Sequence, residues 1–179
     1  DLPLQNMMLY VYNQESEVGE KLVSLETKDD EQKKDRKQLR FLVSTGFVEF
    51  GSNGTRHQAP AIEYERANPT MIKPGDSLQT VAKSMYGAFQ ALRFLHAHNY
   101  MHRDIKPKNI TRTGELLDLQ YVTSSPWNIG QMLVGSSTHF APEIFLKGKC
   151  GNKIPQQADL ASAALSLYQL FTEELAYKR

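Results

Sequence analysis

The chain has 179 residues, 40% of them hydrophobic, and a formal net charge of +1. That length suits one domain or two small lobes sharing a core, and the apolar share is enough to fill it. A nearly balanced charge announces no direct nucleic-acid contact, no apolar run reaches the length of a membrane span, and no basic-then-apolar leader opens the sequence. The lone cysteine, Cys150, forbids an intramolecular disulfide and suits a reducing, intracellular compartment, cytoplasmic or nuclear. The first residue is Asp1 rather than Met, which reads as a fragment or a processed product.

In chain order, Met7-Met8-Leu9-Tyr10-Val11-Tyr12 reads as a strand. Residues 14–39 are charged and lack proline; Leu22, Val23 and Leu25 give them a weak apolar face, so a solvated helix or a mobile loop is expected. Leu39–Val43, Phe47–Phe50 and Ala61–Glu65 are apolar β-formers around the turn residues Gly51-Ser52-Asn53-Gly54, which predicts an antiparallel pair. Pro69, Pro74 and Gly75 mark a connector. A helix follows, with Asp76 as N-cap, Gln79 three residues on, and Val81, Met85, Phe89, Leu92 and Leu95 on one face, ending near His96–Asn99. Residues 110–122 predict a short hairpin around Thr113-Gly114-Glu115, and 123–140 a loop. Ala158–Tyr177 is again helical, with Leu160, Ala163, Ala164, Leu167, Leu170 and Phe171 on a broad face that should be mostly buried. No internal repeat is visible.

Between the first long helix and the hairpin stand His102-Arg103-Asp104-Ile105-Lys106-Pro107-Lys108-Asn109. They spell H-R-D-x-K-P-x-N and resemble the catalytic loop of eukaryotic-type protein kinases. Six fixed residues make this far more specific than a lone glycine motif. Four further stretches match in the right order. Ala61–Glu65 resembles the hinge strand that meets the adenine. Leu92–Met101 resembles the helix end leading into the loop. Gly135–Glu143 resembles the G-T-x-x-Y-x-A-P-E end of the activation segment, and Asp159–Ala164 the start of the central C-lobe helix.

The resemblance implies an α+β, protein-kinase-like two-lobed fold. A reduced N-lobe sheet would occupy residues 1–66 and a mainly helical C-lobe residues 67–179. It implies a divergent Ser/Thr protein kinase that moves the ATP γ-phosphate to hydroxyls of a protein substrate, with Mg2+ as the metal. Asp104 would be the catalytic base, Lys106 the charge-neutralising lysine, and Asn109 and Asp118 the metal ligands. Glu63, Tyr64 and Glu65, with Lys106 and Asn109, would contact the nucleotide. Asp159 would cap the catalytic-loop backbone, Ser136 would bond Asp104 and Lys106, and Arg103 would pair a phosphate on the 119–140 loop.

Departures from the pattern open a second reading, a pseudokinase that scaffolds a partner protein. D-F-G appears as Asp118-Leu119-Gln120, and glutamine lacks the backbone freedom of glycine. No G-x-G-x-x-G precedes the catalytic loop. The strand that should carry the phosphate-contacting lysine matches Leu9–Asn13, which has none, and its partner could be Glu17, Glu20 or Glu26. A small-molecule kinase of the aminoglycoside or choline type shares a looser H-x-D-x-x-x-x-N string, but Ala141-Pro142-Glu143 argues against it.

Overall fold

The computed structural model describes residues 17–40, 42–50, 57–67, 70–128, 134–145 and 153–177. The strand expected at Met7–Tyr12, the lysine-free match at Leu9–Asn13, the Gly51–Gly54 turn and Cys150 lie outside the described residues.

The charged stretch 14–39 resolves into two short helices, α1 over 17–24 and α2 over Asp30–Arg36. Asp29 caps α2 by accepting from the Gln32 N–H at 2.8 Å, and acidic residues in its first turn with basic ones in its last complement the helix dipole. Leu22 is fully buried and anchors α1 in the core. The Asp35 carboxylate receives both Nε and Nη2 of Arg93, at 2.6 and 2.8 Å, which ties α2 to the next helix. Leu39 makes an isolated bridge to Leu116, while Leu42, Val43 and Phe47–Phe50, expected in two separate segments, belong to one strand, β1 (Leu42–Phe50). It pairs antiparallel with β2 (His57–Tyr64), Gly46 opposite Ala61.

The long helix α3 spans Leu78–Ala97. Its cap is Ser77, whose hydroxyl accepts from the Thr80 N–H at 3.2 Å, rather than Asp76. The Asp76 carboxylate is taken by the Lys73 N–H and the Arg112 guanidinium, so the preceding turn uses it first. Val81, Met85, Leu92 and Leu95 are buried as expected, but Phe89 is 38% exposed. The buried arc is centred on Ala88 and Ala91 and takes in fully buried Phe94, which puts Phe89 on its rim.

Beyond α3, β3 (Tyr100–Met101) pairs with β4 (Thr123–Ser124), and β5 (Trp127–Asn128) pairs with β6 (Lys153–Ile154). Two-residue strands carry no periodicity, so a loop was the expectation for 123–140. The hairpin around Gly114 is present, closed by an Ile110–Leu116 bridge and the Gly114 N–H to Thr111 carbonyl bond at 3.0 Å. Gly87 of α3 rests on this turn so closely that a Cβ there would lie 2.5 Å from the Gly114 carbonyl oxygen. A short α4 (Pro142–Phe145) precedes α5 (Gln157–Thr172).

The broad apolar face expected on α5 is buried only in part: Ala163 and Leu170 lie in the core and Leu167 packs against it. Leu160 and Phe171 are 46% and 58% exposed, and Ala164 is exposed. The buried stripe is Ala158, Asp159, Ser162, Ala163, Ser166 and Leu170, and the helix stops at Glu173 in the left-handed region, short of Tyr177. That stripe keeps helical spacing but hides half of it in polar residues, which an apolar pattern misses. One core joins the buried face of α3 to Leu22, Leu39, Ile105, Leu116 and Leu119 and to Ala163 and Leu170 of α5. A second gathers Met101, Phe140, Ala141, Ile144, Ile154 and Ala158. The segment from His102 to Asn109 runs between them.

Candidate active site

Asp159, in the first turn of α5, organises this segment. Its carboxylate accepts the backbone N–H groups of His102 and Arg103 at 2.8 and 2.9 Å, and His96 of α3 reaches it at 2.9 Å. Asp159 is 1% exposed, so these donors are what makes its burial tolerable. The capping expected of Asp159 is therefore present. The pairing with His96 was not anticipated; its only sequence signal is a basic residue in the last turn of α3.

The geometry then propagates along the chain. The buried His102 ring bonds the Leu117 carbonyl through Nε2 at 3.0 Å and accepts the Asp104 N–H at Nδ1, 3.3 Å away. Burial lowers its pKa, so the neutral ring holds this arrangement. Arg103 adopts φ +69° and donates Nε to the Tyr121 carbonyl at 2.5 Å. Burial, its largest influence, pulls this guanidinium down to about 10. Gly135 packs on the same backbone: a Cβ there would fall 2.3 Å from the Arg103 carbonyl oxygen, and its φ is +99°.

Four of the expected site residues converge. Lys106 Nζ donates to Asp104 Oδ2 at 2.6 Å and to Ser136 Oγ at 2.9 Å. Asn109 Nδ2 donates to the Asp104 carbonyl at 2.9 Å, to Asp104 Oδ2 at 3.0 Å, and to Asp118 Oδ2 at 3.4 Å. Lys106 and the Asn109 amide both donate to Asp104 Oδ2; Oδ1 is buried without a hydrogen-bond partner. Burial pushes the Asp104 carboxyl up, but the bonds from Lys106, Ser136 and Asn109 outweigh it and hold the group below the ordinary carboxylate range. Asp104 is thus ionised at neutral pH with one lone-pair face unused. Asp118 goes the other way: burial raises it, and the Asp104 charge adds to that. It sits at φ +65°, ψ +64°, a left-handed conformation that costs a non-glycine residue energy and recurs at functional sites. Leu119 after it is 3% exposed and packs in the main core, as a replacement for phenylalanine should. Gln120 follows in a 3-10 turn over Leu119–Tyr121.

Glu63, Tyr64 and Glu65 lie elsewhere, at and just past the end of β2. Glu65 approaches Arg40 at 3.7 Å, and Arg40 also pairs with Glu115, so this segment is tied to the Gly114 turn.

Asp118 and Asn109 offer oxygen donors, which suit a hard cation, and a buried carboxylate raised by desolvation is a group that a divalent ion would restore to its ionised form. Among the described residues no group of three or more His, Cys, Asp or Glu side chains gathers to hold a metal by itself. Two protein ligands plus substrate phosphates are how magnesium is commonly held, so the residues fit that ion.

Comparison with known proteins agrees with this architecture. The family model "Protein kinase domain" matches residues 65–179. The proto-oncogene serine/threonine-protein kinase mos of Mus musculus is 32% identical over 148 residues, covering 75% of this chain and 41% of that protein. Its Rattus norvegicus counterpart is 31% identical over 147 residues, with 75% and 41% covered. The RGS domain-containing serine/threonine-protein kinase A of Dictyostelium discoideum is 34% identical over 125 residues, covering 68% of this chain and 10% of that protein. The chain spans about two fifths of the length of the mos relatives it matches. With a helical body, a small antiparallel sheet and the domain match over 65–179, the chain belongs to the protein kinase family.

Proposed function

We propose that this chain is the central part of a Ser/Thr protein kinase that transfers the γ-phosphate of ATP to hydroxyl groups of a protein substrate. The observation that carries the reading is Asp104: an ionised, buried carboxylate with one oxygen saturated by Lys106 and Asn109 and the other unpartnered. A buried polar atom without a partner calls for an explanation, and an acceptor hydroxyl supplies one. Such a hydroxyl would donate to Oδ1 and lose its proton there as its oxygen bonds the γ-phosphorus and the bond from that phosphorus to the β–γ bridging oxygen breaks, releasing ADP. Lys106, fixed between Asp104 and Ser136, would offset charge on the transferring group. Asn109, its amide nitrogen spent on Asp104, would present its oxygen with Asp118 to Mg2+, which when bound neutralises phosphate charge. Glu63, Tyr64 and Glu65 would meet the adenine with their backbone.

In this reading the domain is two-lobed, with residues 1–66 in a reduced N-lobe and 67–179 in the C-lobe. A reducing compartment, cytoplasmic or nuclear, is consistent with the lone cysteine. No described helix is long and apolar enough to cross a membrane.

A second reading, a pseudokinase that binds a partner protein without transferring phosphate, is favoured by Gln120 in the place of glycine. Thermal shift of the full-length protein with ATP separates the two. A ligand that binds only the folded state raises the melting temperature. A rise that requires magnesium and is lost in Asp118→Asn supports the enzyme; no rise under any condition rejects nucleotide use.

A further inference from the structure

The acceptor hydroxyl must reach Asp104 Oδ1, so the substrate chain on either side of it must leave past the residues that flank this carboxylate. Lys106 and Ser136 flank it, and both also line a cavity of about 410 Å3. Ile72, Pro107 and Leu175 give that cavity apolar walls, while Lys73 and Lys108 bring exposed ammonium groups to it. No carboxylate is among the described residues that line it. Lys106 is already matched by Asp104, so the cationic groups left to meet a ligand in this cavity are Lys73 and Lys108. Asp76, three residues on, accepts the Lys73 N–H and feels the Lys73 charge, but its strongest partner is the Arg112 guanidinium, so it answers Lys73 only in part. His139, also in the lining, uses both ring nitrogens on Thr138 and Gln169.

A larger cavity of about 1000 Å3, beside Leu25, Lys37, Arg40 and Glu65, carries more cations but holds its own acids. Glu26 and Glu65 line it, and Arg40 pairs with Glu65 and Glu115. Of these two cavities, the smaller has cations without acids among its described lining residues, and it shares Lys106 and Ser136 with the surroundings of Asp104.

We propose that this cleft selects acidic protein substrates, with Lys73 and Lys108 as the specificity-determining residues that receive Asp or Glu side chains close to the acceptor hydroxyl. The inference rests on the phosphotransferase reading for the position of the hydroxyl, but not for the charge preference itself. Two lysines on separate elements, one before α3 and one in the catalytic loop, can each pair with a carboxylate of an extended peptide. Such pairs in a half-open cleft are individually weak and screened by salt, and act mainly by steering and rejecting the wrong charge.

The test uses three peptides with one serine flanked by Asp and Glu, by Gln, or by Arg and Lys. Binding to the full-length protein is read by fluorescence anisotropy at low and high salt, and transfer from magnesium-ATP is read separately. The acidic peptide should bind about fivefold to tenfold tighter than the neutral one, the scale of two exposed pairs, and the advantage should shrink with salt. Lys73→Glu with Lys108→Glu should invert the order of acidic and basic peptides in the binding measurement. Both are exposed lysines, and an unchanged melting temperature verifies that the variant is folded. Equal binding of acidic and basic peptides by the parent, or an acidic preference that survives both reversals, overturns the proposal. Acidic preference in binding with no transfer to any peptide would reject the phosphotransferase reading alone; transfer with no charge preference would reject the cleft assignment alone.

Discussion

Helices α3 and α5 contribute to one core, yet they are built for different work. Helix α3 buries large apolar side chains, Met85, Leu92, Phe94 and Leu95. Helix α5 buries Asp159, Ser162 and Ser166 and leaves Leu160 and Phe171 to solvent. Its serines return their hydroxyls to its own carbonyls, Ser162 to Ala158 at 3.1 Å and Ser166 to Ser162 at 2.9 Å, which keeps that face narrow. A narrow, polar face lets the catalytic-loop backbone sit against α5 and hang from Asp159. The contrast teaches that α3 supplies stability by burial, whereas α5 supplies position by hydrogen bonds.

Four changes probe that division, from the largest expected effect to the smallest. Phe94→Ala in α3 should cost about 3–5 kcal/mol, because a fully buried ring leaves both a transfer loss and a cavity. Urea unfolding measures it, and a loss under about 1 kcal/mol would mean the site collapses and the helix is less rigid than described. Asp159→Ala removes little volume but orphans the His102 and Arg103 N–H groups, at roughly 1–3 kcal/mol. The same unfolding experiment applies; a change of a few tenths would detach α5 from the loop.

His139 probes the junction between α5 and the segment before α4. Burial lowers its pKa, while the bond to Gln169 of α5 works against that. The folded state therefore binds the proton less readily than the unfolded chain. The stability it contributes is intact above the unfolded value of about 6.5 and is lost as pH falls from there towards the folded value. His102 is shifted in the same direction and adds to the slope. Melting temperature against pH should fall below neutrality, and His139→Gln should flatten part of that fall; an identical profile in the variant would exclude His139 as a contributor. Last, Leu160→Ser on the exposed side of α5 should change stability by no more than about 0.5 kcal/mol. A larger loss would show that this face is covered.

The same contrast explains what the sequence made readable. Val81, Met85, Leu92 and Leu95 announce α3 because burial there is apolar and periodic. On α5, apolar counting finds the buried Ala163 and Leu170 and the half-buried Leu167, but it adds the exposed Leu160, Ala164 and Phe171 and misses Asp159, Ser162 and Ser166, because those buried positions are polar. Asp159 was legible by resemblance of its short motif, not by pattern. Ser77 rather than Asp76 caps α3 because Arg112, 36 residues away, competes for the Asp76 carboxylate, and no local rule contains that partner. Within the site, Asp104, Lys106, Asn109 and Asp118 stood out as letters at fixed spacing, but spacing does not say which oxygen of Asp104 is left over. The roles of His96, His102 and Gly135 are silent for a related reason: each acts on a group distant in sequence, His96 on the Asp159 carboxylate, His102 on the Leu117 carbonyl and Gly135 through a close approach to the Arg103 carbonyl.

The central claim is that Asp104, held by Lys106 and Asn109 with Oδ1 unused, accepts the proton of a protein hydroxyl. Radiolabelled phosphate transfer by the full-length protein, parent against Asp104→Asn, tests it most directly, with magnesium-ATP affinity measured alongside. The account predicts transfer by the parent, a fall of about 10²–10⁴-fold in the variant, and nucleotide affinity nearly unchanged. A parent that binds magnesium-ATP without transferring phosphate, or a variant that transfers within a few-fold of the parent, would contradict it.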